Sequence, residues 1–215
     1  NDFETPVSFA SLLAEIDTIP GIERIRFMTS HPKDFSLELI DVIKNSQHIC
    51  HALHLPVQSG SDNVLRRMNR KYDRARYLEI VRAMREALPD AAITTDIIVG
   101  FPGETEAAYN NLLNFLEEVQ LDRVGVFPYS QEENTPAGRM PDQLDEAVKE
   151  ERAQNLMDIQ FEIMFANHQR LIGETRHVLI DDIEDGMLLC RSQSEAPDID
   201  PYVIVPAADV SGYEI

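Results

Sequence analysis

Apolar positions between Phe9 and Gly125 alternate between two rhythms, one repeating every three to four residues and one running as short β-branched blocks. Ser8 to Ile16 predicts an amphipathic helix opened by a Ser8 cap, and Arg24 to Met28 a strand. A helix over Ser36 to Lys44, a strand over His51 to Val57 and a helix over Arg74 to Leu88 follow. Ala92 to Val99 is apolar and β-branched enough for burial on both faces, which is how a central parallel strand reads. Glu106 to Val119 predicts a further helix and Arg123 to Ser130 a fourth strand. Alternation of this kind predicts an α/β fold with a parallel sheet, a partial TIM-like barrel.

The rhythm breaks in the polar, proline-containing stretch from Gln131 to Gln143, which marks the barrel's edge. Leu144 to Leu171 then predicts one long helix whose stripe of Ala153, Leu156, Met157, Ile163 and Met164 packs on the barrel, with Gly173 placed to end it. Short strand-like runs at His177 to Ile180, Met187 to Arg191 and Tyr202 to Val205 predict a small antiparallel β module. The expected organisation is therefore a barrel portion over 1–140, a connecting helix over 141–172 and a β domain over 173–215.

Composition narrows the class. With 215 residues and 43% hydrophobic content the chain can build a packed core. No apolar run approaches the roughly 18 residues of a membrane span, and Asn1-Asp2-Phe3-Glu4 lacks a signal-peptide pattern. A soluble cytoplasmic protein is the expectation. Cys50 and Cys190 lie outside any metal-ligand spacing and read as two buried thiols. The formal charge of −19 is uneven, since residues 141–215 carry 5 Lys and Arg against 17 Asp and Glu. Phosphate backbones are bound through cations, so this tail reads as unsuited to RNA and suited to a basic protein or to simple solubility.

Three strand ends carry candidate chemistry, because ligands of parallel α/β folds bind beyond the carboxyl ends of the strands. Gly100-Phe101-Pro102-Gly103-Glu104-Thr105 follows the best strand and could bring backbone close to a ligand or be a plain tight turn. After the second strand, Gln58, Ser59 and Ser61 offer amide and hydroxyl groups, with Ser61 or Asp62 also able to cap a helix. His31 at the end of the first strand reads as a turn residue before a ligand or an acid/base group. His48, His51 and His54 repeat every three residues, but strand geometry turns 51 and 54 to opposite faces, against a metal site. Arg66-Arg67-Met68-Asn69-Arg70-Lys71 is the one basic run; it could grip phosphate or complement a helix end.

Taken in order, His54 to Ser61, Met68-Asn69-Arg70, Asp96 to Thr105 and Tyr129-Ser130 resemble the radical S-adenosylmethionine methylthiotransferases over nearly the whole chain. The resemblance implies a radical barrel whose last four strands are present here, followed by a shortened TRAM-like β domain. It implies conversion of C–H to C–S–CH₃ by a 5′-deoxyadenosyl radical, with S-adenosylmethionine and two 4Fe–4S clusters as cofactors of the full-length enzyme. Gln58 and Ser59 would then face the methionine and ribose of the cofactor, Thr95 and Asp96 would line the barrel interior, and Val99, Gly100, Phe127 and Tyr129 would form the adenine wall. The Cys-x-x-x-Cys-x-x-Cys loop is missing, so no cluster ligand and no catalytic residue is assigned, and the isolated chain is expected to be inactive. Two family branches compete. Met28 to Pro32 and His54 to Ser61 resemble the branch that modifies a tRNA adenosine, whereas Arg123 to Phe127, Ser130 to Thr135 and Ser194 to Asp200 resemble the branch that modifies an aspartate of a small-subunit ribosomal protein. Weighted by the tail's charge, the expectation is the ribosomal protein, held by Asp181, Asp182, Glu184 and Asp185, with tRNA as the alternative and a noncatalytic binding module as the rival.

Overall fold

The structure, a computed structural model, describes residues 7–28, 32 and 35–212; His31 lies outside them. In chain order the elements are α1 (Phe9–Asp17), α2 (Leu37–Asn45), β1 (Ala52–His54), α3 (Asp62–Arg67), α4 (Arg74–Ala87), β2 (Ala92–Val99), α5 (Glu106–Val119), β3 (Arg123–Pro128), α6 (Glu146–Arg170), β4 (Leu179–Glu184), β5 (Met187–Arg191) and β6 (Val203–Pro206). The helix starts follow their caps. Ser8, Ser36, Asp73 and Thr105 each accept a backbone N–H three residues on, a contact that contributes about 1 kcal/mol to a helix.

Strands β1, β2 and β3 form a parallel sheet in that order, with Ala52 beside Ala92 and Asp96 beside Gly125. Two predicted strands are shorter than expected. Residues 24–28 contribute a single parallel bridge, Ile25 to Ile49, and β1 stops at His54 because Pro56 has no N–H to give the ladder. The line of the strand nonetheless continues, since Gln58 N–H donates to the Asp96 carbonyl and the Gln58 carbonyl accepts from Ile98 N–H.

Alternation along β2 divides the sheet into two faces. Ile93, Ile97 and Val99 are fully buried against the helices, packing with Leu53, Leu55, Tyr77, Leu112, Phe115, Leu116 and Leu156. Thr94, Asp96 and Ile98 turn to the concave side together with Gly125 and Phe127 of β3.

Helix α6 departs from its expected stripe. Ala153, Leu156 and Ile163 are buried as predicted, but Met157 is 42% exposed, and Lys149, Arg152 and Gln160 occupy the remaining buried positions. Three polar side chains on the buried face are tolerated because each has partners: Gln160 Nε2 donates to the Leu121 carbonyl at 3.1 Å, and those of Lys149 and Arg152 are described below.

Strands β4, β5 and β6 form an antiparallel sheet. The first of them runs later than predicted, to Glu184, because Asp185 (φ 48°) and Gly186 (φ 78°) make the two-residue turn that joins it to β5. That sheet is tied to the barrel by Ser192 to Asp200, which docks where β1, β2 and β3 begin. Arg24 Nη1 donates to the carbonyls of Arg191 and Ser192, both at 3.1 Å, and Arg26 Nη2 to that of Gln193 at 2.6 Å. Arg123 Nη2 meets Glu195 Oε1 at 3.0 Å, and its Nη1 donates to the Ser194 carbonyl at 3.1 Å and lies 3.5 Å from Asp200.

Candidate active site at the carboxyl ends of the strands

Three turns meet at the carboxyl end of the sheet. The first, Gln58 to Ser61, leaves β1 with Gln58 at φ 68°, a left-handed conformation that a side chain adopts only under tertiary constraint. Tyr72 fixes this turn from below, its hydroxyl lying 3.1 Å from the Pro56 carbonyl and 3.0 Å from that of Val57. The second, Gly100 to Glu104, holds Gly100 at φ 71° and Gly103 at φ 76°. A Cβ on Gly100 would collide with the Lys149 stem, and one on Gly103 would stand 2.5 Å from the Arg67 guanidinium carbon. The third is the end of β3, where Tyr129 N–H donates to the Val99 carbonyl.

Helix α6 clamps these turns from behind. Glu104 Oε1 accepts from Gly100 N–H at 2.9 Å and from Arg152 Nη1 at 2.7 Å, with the Glu104 side chain 1% exposed and that of Arg152 9%. Burial raises the Glu104 carboxyl above its ordinary 4.5, against the pull of Gly100 and Arg152, and its Oε2 is buried without a partner. Lys149, 1% exposed, donates to the Tyr129 carbonyl at 3.1 Å and to Glu146 at 2.6 Å, and its ammonium stands 5.4 Å from the Tyr129 ring centre. Sequence reasoning named Glu104 only as part of the strand-end turn and passed over Lys149 and Arg152. The available signal was the placing of Lys149 and Arg152 on the same helical face as Ala153 and Leu156.

Below the rim, the concave face carries a pair of ionisable groups. His54 Nδ1 lies 2.9 Å from Thr94 Oγ1, and its Nε2 lies 3.4 Å from Asp96 Oδ2. A Cβ on Gly125 would stand 2.7 Å from Asp96 Oδ1, so the glycine leaves room for that carboxylate. A cavity of about 300 Å³ opens here, lined by His54, Asp96, Phe127, Arg26 and Met28 and floored by Ile199 of the docking segment.

The residues expected to bind cofactor divide on this geometry. Gln58, Asp96 and Phe127 keep part of their surface open, with Phe127 54% exposed, whereas Gly100 is buried and its N–H is held by Glu104. Thr95 does not line the interior with Asp96, because neighbours on a strand face opposite ways. Its hydroxyl donates to the Leu55 carbonyl at 2.7 Å and accepts from Val57 N–H, tying β1 to β2. Ser59 is 1% exposed and its Oγ accepts from Ser61 N–H, while Val99 is fully buried under the helices. Tyr129 packs edge-on to Phe101 at 5.2 Å, with its hydroxyl buried and unpartnered. Ser61 makes no side-chain cap, and Asp62 instead accepts from Arg74 N–H at 2.8 Å.

The three period-three histidines go to separate carboxylates, His48 to Asp17, His51 to Asp90 and His54 to Asp96. Cys50 and Cys190 are free and buried, and burial raises both thiols above their ordinary value, against service as thiolate ligands. Among the described residues no cluster of three or more His, Cys, Asp or Glu could hold a metal ion. The described residues and the two buried thiols therefore do not fit an iron–sulfur cluster.

The tail carboxylates also divide. Asp181 is taken by Arg191, whose Nε and Nη2 reach its two oxygens at 2.5 and 2.8 Å. Asp182 accepts from the N–H of Ile183, and Asp185 occupies the hairpin turn. The four lie along β4 and its turn, in the tail sheet and away from the strand-end rim.

A partial parallel α/β barrel with its ligand-ready rim at the strand ends and an appended antiparallel sheet defines the class. The sequence profile of the Radical SAM superfamily matches residues 4–116, and that of the TRAM domain residues 172–213. The chain belongs to the radical S-adenosylmethionine superfamily and, within it, to the methylthiotransferase family. It is 50% identical to the tRNA-2-methylthio-N(6)-dimethylallyladenosine synthase of Thermoanaerobacter pseudethanolicus over 85% of this chain and 39% of that protein. It is 44% identical to the synthase of the same name from Pelotomaculum thermopropionicum, over 86% of this chain and 41% of that one. The chain thus spans about two fifths of the length of these relatives. Among solved structures, coproporphyrinogen III oxidase of Escherichia coli, a radical SAM enzyme, shares the fold with a TM-score of 0.55 at 22% identity, over 65% of this chain and 32% of that one. No helix among the described residues is long and apolar enough to cross a membrane.

Proposed function

We propose that this chain forms the later barrel strands and tail domain of a methylthiotransferase acting on an adenosine of tRNA. The observation that carries the reading is the 50% identity to tRNA-2-methylthio-N(6)-dimethylallyladenosine synthase over 182 residues, 85% of this chain. It supports tRNA over the ribosomal-protein expectation, and the structure adds a physical reason. Two of the three segments that suggested that substrate, Arg123 to Phe127 and Ser194 to Asp200, bond to each other where the tail docks, so their pattern serves internal packing.

S-adenosylmethionine, when bound, supplies the methyl group and the 5′-deoxyadenosyl radical of the family's reaction. Of this chain's residues, Gln58 would hold its polar groups at the rim, the Gly100 turn would let the ligand approach closely, and Phe127 would cover a planar ring. Asp96, kept in place by His54 and by the space beside Gly125, would accept a hydrogen bond from a hydroxyl or an exocyclic amine. Cluster ligands would come from sequence other than these residues, and the chain alone is expected to be inactive.

The test joins this chain to the cysteine-bearing upstream segment of a relative, reconstitutes iron and sulfide, and follows products by mass spectrometry. Methylthioadenosine in tRNA, with no modification of ribosomal protein, is the expected outcome. Modification of ribosomal protein with none in tRNA would reverse it.

A further inference from the structure

Several arginines are tied down inside the molecule. Arg24, Arg26, Arg123, Arg152 and Arg191 spend their donors on partners within the chain. Arg66, Arg67, Arg70 and Lys71 are left without a counter-charge. Among the described residues no carboxylate lies within ion-pair distance of any of these four. Arg66 bonds only the Asn63 amide oxygen and the Asp62 carbonyl, and Lys71 the Asn69 amide oxygen at 2.6 Å. Arg66, Arg67 and Lys71 are exposed.

Their position is as informative as their freedom. They belong to α3 and the turn after it, which leave the Gln58–Ser61 turn, and Asn69 at φ 59° folds that turn back so that Arg70 N–H reaches the Leu65 carbonyl. Arg67 packs on Gly103 of the second rim turn, and Tyr72 anchors the segment to the end of β1. The cations therefore border the mouth through which a substrate reaches the concave face.

A net charge of −19 would oppose RNA if it acted as a whole. It does not act as a whole, because exposed charges are screened over roughly 8 Å at physiological salt. The tail docks at the start of β2, and the 8 residues of that strand, at about 3.3 Å each, put roughly 25 Å between the acidic end and the rim. Local charge decides.

We propose that Arg66, Arg70 and Lys71, beside Arg67, form the phosphate-docking edge that holds an RNA strand over the barrel mouth. The proposal rests on the tRNA reading above and adds where the backbone is gripped. The test measures binding of a fluorescein-labelled tRNA transcript by anisotropy across a salt series. The proteins compared are the full chain, an Arg66→Gln/Arg70→Gln/Lys71→Gln variant, and a charge-matched Lys44→Gln/Arg82→Gln/Arg85→Gln control. Arg67 is retained because it packs on Gly103. The rim variant is expected to bind at least about tenfold more weakly at 0.1 M salt, with a salt slope smaller by about 3, the control being unchanged. Equal loss in both variants, or none in the rim variant, would overturn the docking edge while leaving the tRNA reading standing. Absence of salt-dependent RNA binding by the unmodified chain would remove both. Thermal unfolding of each variant checks that the loss is not one of folding.

Discussion

The two ends of the sheet use one device, a buried arginine on a carboxylate, to opposite effect. At the carboxyl end Arg152 and Glu104 are so desolvated that the Glu104 carboxyl is raised above 4.5, and one of its oxygens has no partner. At the amino end burial would also raise Glu195, but the Ser192 hydroxyl and N–H and the Arg123 guanidinium together hold it below 4.5. Full hydrogen bonding, more than the arginine itself, separates them. The rim keeps a costly, partly satisfied pair behind a glycine turn that must stay open, whereas the base keeps a satisfied pair that only has to hold.

The largest effect should come from breaking the rim pair. Arg152→Met leaves Glu104 buried without its cation and is expected to cost roughly 3–5 kcal/mol in urea unfolding, whereas Arg152→Met combined with Glu104→Gln should recover most of it. Equal losses in the two would mean that the pair is not coupled. Next, Gly100→Ala drives a methyl into the Lys149 stem at φ 71° and should cost about 1–3 kcal/mol. Gly21→Ala, with nothing within 4 Å of its Cβ at φ 87°, serves as the control for backbone strain alone. Arg123→Gln should cost less globally and instead expose Gln193 to Asp200 to protease, leaving the barrel's cleavage pattern unchanged.

The pH responses sharpen the contrast. Glu195 has a lowered native pKa, so its stabilisation is complete above about 4.5 and fades as pH falls through the native value. Glu104 has a raised one, so it binds its proton more tightly when folded, and stability falls as pH rises from about 4.5 through the native value. Stability of Glu195→Gln and Glu104→Gln relative to the parent, measured from pH 4 to 7, should therefore change with opposite slopes. Slopes of one sign would remove the distinction. The smallest effect is expected at Gly125→Ala, which should shift Asp96 from His54, barely alter stability and weaken cofactor binding in the reconstituted enzyme.

Much of this was legible in the chain. β2 read as a central strand because it is rich in β-branched and apolar residues, and the strand-end motifs are contiguous in sequence, so their meeting at one edge follows from parallel topology. What escaped was of two kinds. Facing was missed where neighbouring residues were given one role, as with Thr95 and Asp96, although strand alternation forbids it. Long-range partnership was missed altogether. Neither Arg152 reaching back to Glu104 nor Arg123 reaching forward to Glu195 leaves a local signature, and acidic residues that are neutralised internally look in sequence like a free surface. In the tail this holds for Asp181, held by Arg191, and Glu195, held by Arg123.

The central claim is that ligands meet this protein at the carboxyl ends of its strands and not at its acidic tail. Hydrogen–deuterium exchange of the chain with and without tRNA tests it most directly. The account predicts new protection confined to residues 58–72 and 96–104, with 181–185 unchanged. Protection centred on 181–185, with the rim untouched, would contradict it.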